Sequence, residues 1–493
     1  MATRPSPAFS IVVRINVPRQ PGLLPKILEA AEQAGGYVES IRACGTPADL
    51  EVRELTVATG DCEHEAAVLL ALARVDGVRL LDVTERTFAE HMGGMIGTLE
   101  RATVDGVDAL SRVYTPGVGR VSQAIAEDNT QQWELTIKPN TVAVVSDGTA
   151  VLGLGDVGPA AAQPVMEGKC LLFKHFADVD AFPICLATTD VDEIVATVQR
   201  IAPVFGAINL EDIAAPRCFA IEEQLRERLD IPVMHDDQHA TAIVVLAALR
   251  NALRLVDKAL EDAKIVISGA GAAGLATARI LLAAGARRIV SCDRAGAIYQ
   301  GRPERMNSYK EALAARSNPD RERGDLQDVV AGADVFIGLS APRLLSRAAV
   351  ASMAANPIVF AMANPVPEVL PDEIEGIARV VATGRSDYPN QINNSLAFPG
   401  VFRAALDVRA SEINFEMKIA ASEALAGLVS EADLQRETIV PSMFDPRVVP
   451  AVAAAVREAA CRTGVARRTW PPAAKLATPL TTSAILAGLT LRH

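Results

Sequence analysis

Two acidic pairs, Glu211-Asp212 in INLEDIAAP and Asp236-Asp237 in IPVMHDDQHATA, lie a short way apart in this chain. Each follows a β-branched apolar stretch, 205–210 and 229–234, that reads as a short buried strand. The carboxylates then stand at strand ends. In α/β sheets ligand crevices form at the carboxyl ends of strands, so acids converging there supply hard oxygen ligands suited to Mg²⁺ or Mn²⁺. Either pair alone reads more readily as loop acids or a helix N-cap; their occurrence together points to a cation. His235 and His239 flank the second pair, but the neighbouring acids favour a harder ion than zinc.

A glycine-rich turn follows. Residues 264–268 (KIVIS) form a compact strand, Gly269-Ala270-Gly271-Ala272-Ala273-Gly274 opens a helix to about Ala284, and 288–292 (RIVSC) makes a second strand ending in Asp293. This is the order of a dinucleotide-binding unit. Gly269 allows the tight turn, Gly271 lets backbone approach a pyrophosphate, and Gly274 lets helix and strand pack closely, with free N–H groups at the helix start facing the anion. Asp293 falls where an acid holds the ribose 2′-hydroxyl of NAD, and the adjacent Arg294 leaves NADP open. Acidic pairs and dinucleotide turn together suggest a metal-assisted redox enzyme.

The elements that must position these groups need a large core, and the chain can build one. It has 493 residues, half of them apolar, enough for about three domains. A formal net charge of −12 without a basic block argues against nucleic acid or an anionic membrane surface as a partner and for small molecules. The seven cysteines are scattered without a CxxC pair, so no disulfide framework is indicated, and Cys170, Cys185 and Cys292 are expected as buried thiols. The opening MATRPSPAFS lacks the apolar run of a secretory signal and no stretch reaches the length of a membrane span. A cytoplasmic location is expected.

Residues 1–88 predict a strand, a helix from Leu23 to Ala34 after Pro21-Gly22, strands near 37–43 and 51–57, a helix over 64–73 and a strand over 78–84. That βαββαβ order is ferredoxin-like. With PGLL after the first strand and a glycine ending the first helix, the segment resembles an ACT domain, a module that commonly binds an amino acid as a dimer; Gly22 and Gly35 would line its ligand site. Residues 89–260 read as mostly helical with short strands. Residues 261–466 alternate strands and helices, a doubly wound parallel sheet of Rossmann type with alanine-rich helices at its end expected to pack back on the second unit. Residues 467–493 form a tail.

At this point the chain resembles a known family, the bacterial malic enzymes of the short type with an N-terminal ACT domain. The resemblance is carried by YTPGV (114–118), DGTAVLGLGDVGP (147–159), EGKCLLFK (167–174), INLEDI, HDDQHATA, GAGAAG, ANPVPE (363–368) and SDYPNQINNSLAFPG (386–400), in the family's order. It implies oxidation of L-malate at C2 with NAD or NADP and a divalent cation, then decarboxylation and tautomerisation to pyruvate. By the match, Lys169 is the base, Asp236 orients it or shares its proton, Glu211, Asp212 and Asp237 are metal ligands, and Tyr114 protonates C3. Asn364 would lie near the nicotinamide, and Asn393 and Asn394 near the substrate carboxylate. A base at a hydroxyl must be able to lose its proton, so Lys169 is expected to be tuned downward by burial or by a metal's charge.

Two departures stand out. The larger malic enzymes carry an arginine shortly before GLGDLG that contacts malate, where this chain has Thr149-Ala150-Val151, so the carboxylate must be recognised elsewhere, the Asn pair being one candidate. Ala240 stands where the smaller enzymes usually have glycine, a methyl that could disturb the helix start. The chain ends before any acetyltransferase-like extension, so that activity is not expected. The resemblance also implies a homodimer or larger homo-oligomer and a small-molecule effector on the ACT-like segment, with pyruvate, fumarate or an amino acid each open. Two other readings are a malolactic enzyme that holds NAD without net turnover and a non-catalytic amino-acid sensor.

Overall fold

Hydrophobic alternation at the start of the chain is realised directly. The computed structural model describes residues 5–18, 20–44, 50–151 and 153–469, and the chain divides into two units, 1–99 and 100–493. Of the expected tail, residues 470–493 lie outside the described residues. In the first unit β1 (Ser6–Pro18), β2 (Tyr37–Ala43), β3 (Leu50–Thr59) and β4 (Arg79–Glu85) form an antiparallel sheet in the order β2-β3-β1-β4. Ile11, Val13, Ile15 and Val17 alternate inward from β1 onto Leu23, Ile27 and Ala31 of the helix Leu23–Gln33 and onto Val68 and Leu72 of the helix Cys62–Ala73. Burial on one sheet face by two helices is the α+β solution for such a pattern.

In the second unit β5 (Thr141–Ser146), β6 (Asp180–Cys185), β7 (Ala207–Leu210) and β8 (Val233–His235) form an all-parallel sheet in the order β6-β5-β7-β8. β5, β7 and β8 are buried throughout, as continuous apolar strands covered on both faces should be. A second sheet runs β11-β10-β9-β12-β13-β14, with β9 (Lys264–Ser268), β10 (Arg288–Asp293), β12 (Val335–Gly338), β13 (Ile358–Ala361) and β14 (Val380–Thr383) parallel and the short β11 (Gly296–Ala297) antiparallel at the edge.

The helix Asp236–Leu255 stands in the centre of this unit and is buried along most of its length. Its Asn251 amide donates to the carbonyls of Ala426 and Ile439 at 3.0 and 2.9 Å, so the alanine-rich helices at the end of the chain pack back on it as expected. Ala240 is fully buried within that helix, which begins without interruption at Asp236; the extra methyl is accommodated. Cys170 and Cys292 are buried, whereas Cys185 is only half-buried, because β6 lies at the edge of its sheet. No helix among the described residues is long and apolar enough to cross a membrane.

Candidate active site

Adjacent parallel strands bring the two acidic pairs together. Glu211 and Asp212 follow β7, and Asp236 and Asp237 follow β8 as the first turn of the helix Asp236–Leu255, where negative charge complements the helix dipole. Asp212 adopts a left-handed backbone, φ 53°, a conformation aspartate tolerates better than most residues. Its N–H donates to Asp237 Oδ2 at 2.9 Å, stitching the two strand ends together. Glu211, Asp212 and Asp237 each present a carboxylate oxygen within 4.8 Å of the others. Asp212 Oδ2 is buried without a hydrogen-bond partner. A buried lone pair without a donor is costly, and a hard divalent cation held by these oxygens would satisfy it.

Lys169 reaches this cluster from the helix Gly158–Ala177. Its ammonium donates to Asp236 Oδ2 at 2.7 Å and lies 3.0 Å from Glu211 Oε1, with all three side chains nearly or fully buried. The Phe398 ring closes the site with its centroid 4.2 Å from Nζ, and Asn209 donates to Glu211 Oε2 at 2.9 Å. Asn394 donates its amide to Asp236 Oδ2. Asn393 instead caps the following turn by accepting the Ser395 N–H at 2.9 Å. Of the two asparagines, Asn394 enters the site and Asn393 shapes the turn that delivers it.

Burial and crowding of like charge push these carboxyls up. Glu211 is raised well above the ordinary range by burial and by Asp236, Asp237 and Asp212, with Lys169 opposing. Asp212 is pushed up to about 8 by burial and by Asp237, and Asp236 is raised by burial despite Lys169. Burial alone does not bring about the downward tuning expected for Lys169. Burial does act in that direction, but Asp236 and Glu211 outweigh it and hold the ammonium above its ordinary value.

The glycine turn opens a cleft of about 800 Å³ lined by Gly269, Ala270, Gly271, Asp293 and Arg294 among others. Gly269 has φ +113°, and a Cβ there would meet the Leu339 carbonyl oxygen at 2.3 Å; a Cβ on Gly274 would lie 2.0 Å from the Gly269 oxygen. Only glycine fits either place. At Gly271 nothing stands within 4 Å, which leaves the backbone open to a ligand. Asp293 ends β10 with its carboxylate gripped by Arg302 at 2.8 and 2.6 Å and by Lys310 at 2.6 Å. Burial opposes its charge, yet these hydrogen bonds hold it below the usual carboxylate range. The residues present fit a dinucleotide.

Tyr114 ends the helix Val107–Val113 and is 66% exposed; among the described residues no hydrogen bond joins it to Lys169 or the carboxylates. Asn364 follows β13, and a Cβ on Gly384 would meet its amide nitrogen at 2.8 Å. In the first unit Gly22 turns the chain into the helix Leu23–Gln33 with φ 82°, beside a cavity of about 260 Å³ lined by Pro21, Leu23, Ile27, Glu51 and Arg53 among others. Gly35 ends that helix under the His64 ring and does not line the cavity.

Sequence reading missed Asn209, Phe398, Arg302, Lys310 and Arg217. Arg217 donates to Asp147 Oδ2 and Thr149 Oγ1 at 3.0 Å each, which brings a guanidinium to the loop that lacks the larger enzymes' arginine. Of the five, only Asn209 left a signal, its strand position two residues before Glu211 placing it on the same face.

Residues 98–226 match the malic enzyme N-terminal domain and residues 239–461 the malic enzyme NAD binding domain. The chain is 55% identical to the NAD-dependent malic enzyme of Geobacillus stearothermophilus, over 95% of this chain and 98% of that one. It is 56% identical to the bifunctional malic/malolactic enzyme of Bacillus subtilis, over 77% of this chain and 93% of that protein. Among solved structures, an NAD-dependent malic enzyme of Thermotoga maritima superimposes with a TM-score of 0.73 at 45% identity, covering 76% of this chain and 99% of that one. Paired acids on adjacent strand ends, a buried lysine between them and a dinucleotide turn thus sit in a sequence matched over most of its length, and this chain belongs to the malic enzyme family.

Proposed function

We propose that this protein oxidises L-malate to pyruvate and CO₂ with reduction of NAD. The observation that carries the reading is Lys169 lodged between Asp236 and Glu211 beside three carboxylates that converge on one point. A divalent cation, Mg²⁺ or Mn²⁺, held by Glu211, Asp212 and Asp237 would supply Lewis acidity to the oxygens of the substrate and offset the carboxylate field that keeps Lys169 protonated. With that field offset and its own proton passed to Asp236 along the Nζ–Oδ2 hydrogen bond, the neutral Lys169 amine takes the C2 hydroxyl proton, and Asp236 orients it. Asn394 fixes Asp236 from the other side. Phe398 and the burial of Nζ exclude water from the proton path. The protonation at C3 is assigned to Tyr114 on the motif YTPGV at 114–118 alone.

For the cofactor, Asp293 offers an ionised carboxylate at the end of β10, the group that accepts the ribose 2′-hydroxyl of NAD. The NAD-dependent relative matched over nearly the whole chain supports the same choice. For regulation, the cavity beside Gly22 sets Arg53 and Glu51, 3.0 Å apart, against the apolar Leu23 and Ile27, a lining suited to a small zwitterion such as an amino acid. For assembly, Val107, Leu110, Val113 and Val118 are exposed on consecutive helices, an apolar face that a homodimer would cover.

The test is absorbance of reduced nicotinamide with purified protein, L-malate and Mn²⁺, run with NAD and NADP in parallel and with pyruvate and lactate assayed at the end. Metal-dependent reduction matched by pyruvate is expected. Lactate without net reduction would replace this reading with the malolactic one.

A further inference from the structure

The turn that delivers Asp236 and Asp237 is held from outside by a carboxylate that touches neither of them. Glu222, on the helix Arg217–Arg228, is almost fully buried. Its Oε1 accepts the backbone N–H of His235 at 3.0 Å, and its Oε2 accepts from the Gln238 amide at 3.2 Å and lies 3.0 Å from His239 Nε2. These three partners bracket the two acids on both sides. His235 is the N-cap of the helix Asp236–Leu255 and supplies no side-chain cap of its own. In a capping box the glutamate three residues into the helix reaches back to the N-cap N–H; here a neighbouring helix performs that task.

The surroundings keep Glu222 in its accepting form. Burial opposes the charge, but His239 and the buried Lys418 of the helix Phe415–Gly427 hold the carboxyl below its ordinary range. An acceptor-only carboxylate suits three donors, whereas an amide in its place would set NH₂ against the Gln238 and His239 donors. Ligand-orienting groups of this kind typically change metal affinity by about 10- to 100-fold when removed.

We propose that Glu222 is a positioning residue of the metal centre, fixing the 235–239 turn so that Asp237 meets Glu211 and Asp212 while Asp236 meets Lys169. The proposal rests on the reading of that carboxylate cluster as the metal centre.

The experiment is calorimetric titration of Mn²⁺ into the metal-stripped full chain, parent against Glu222→Gln, with thermal melts and Michaelis constants for Mn²⁺ and NAD measured in parallel. The variant is expected to bind Mn²⁺ at least about 10-fold more weakly, with the Michaelis constant for Mn²⁺ rising in step and that for NAD unchanged. A lowered melting temperature with Mn²⁺ affinity equal to the parent's would overturn the proposal and leave Glu222 a packing residue. Should Glu222→Gln fail to fold, His239→Leu removes one donor while keeping the tie to the His235 N–H. It is expected to weaken Mn²⁺ several-fold, and unchanged affinity there is equally fatal. Absence of Mn²⁺ binding in the parent would instead sink the metal-centre reading, an outcome distinct from equal affinities.

Discussion

Two parallel sheets in this chain end in acids, and the acids behave in opposite ways. After β7 and β8, Glu211, Asp212 and Asp237 converge with one lysine among them, and the carboxyls of Glu211 and Asp212 are driven up by burial and by one another. After β10, Asp293 is driven down by Arg302 and Lys310. Strand-end position is shared; the count of nearby cations differs. A carboxylate cluster short of positive charge is a site for an external cation, whereas a fully paired carboxylate is a fixed acceptor for a neutral hydroxyl.

Removing Lys169 from the acidic site gives the largest expected effect. Lys169→Ala should lower turnover by on the order of 10³-fold or more, the range for loss of a general base, while reduced nicotinamide binding, followed by fluorescence, stays near the parent's. A fully active variant would end the mechanism. Asp237→Asn should raise the Mn²⁺ needed for half-maximal activity by more than about 10-fold without altering the Michaelis constant for NAD; an unshifted metal titration would remove Asp237 from the centre.

On the other sheet, Asp293→Asn should raise the Michaelis constant for NAD by about 10-fold, the cost of a hydrogen bond to a charged group, and leave the metal titration alone. It should also shift preference toward NADP, since Arg302 and Lys310 lose their partner. Equal constants for NAD in variant and parent would detach Asp293 from the ribose.

The smallest effect is the pH response. Because the folded-state pKa of Asp212 is raised, its contribution to stability is full below the ordinary carboxylate range and is lost as pH rises through about 8. The stabilisation gained from Mn²⁺ in thermal melts should therefore grow across neutral pH. Binding should release at least one proton, read from calorimetry in buffers of different ionisation enthalpy. Asp293 is already ionised throughout that window and should add nothing to the slope. A Mn²⁺ gain independent of pH would show that Asp212 is ionised before the metal arrives.

Much of this was legible in the chain. Periodicity placed β1 to β4 and their two helices, and the strand-turn-helix of 264–284 needed no contacts beyond itself, because pleat, tight turn and helix start are local conformational preferences. The acidic pairs announced a cation because both followed buried strands. Tertiary structure decided what local preference cannot encode. It carried Lys169 across from a helix that ends near residue 177 to Asp236, it chose Asn394 over its neighbour for the site, and it left Tyr114 on an exposed helix end. It also set the charge state of each acid, raising Asp212 and lowering Asp293, because a pKa depends on which charges lie within a few ångströms. The sequence determined the residues able to do chemistry and the strands that end beside them; only folding decided which of them meet, and with what charge.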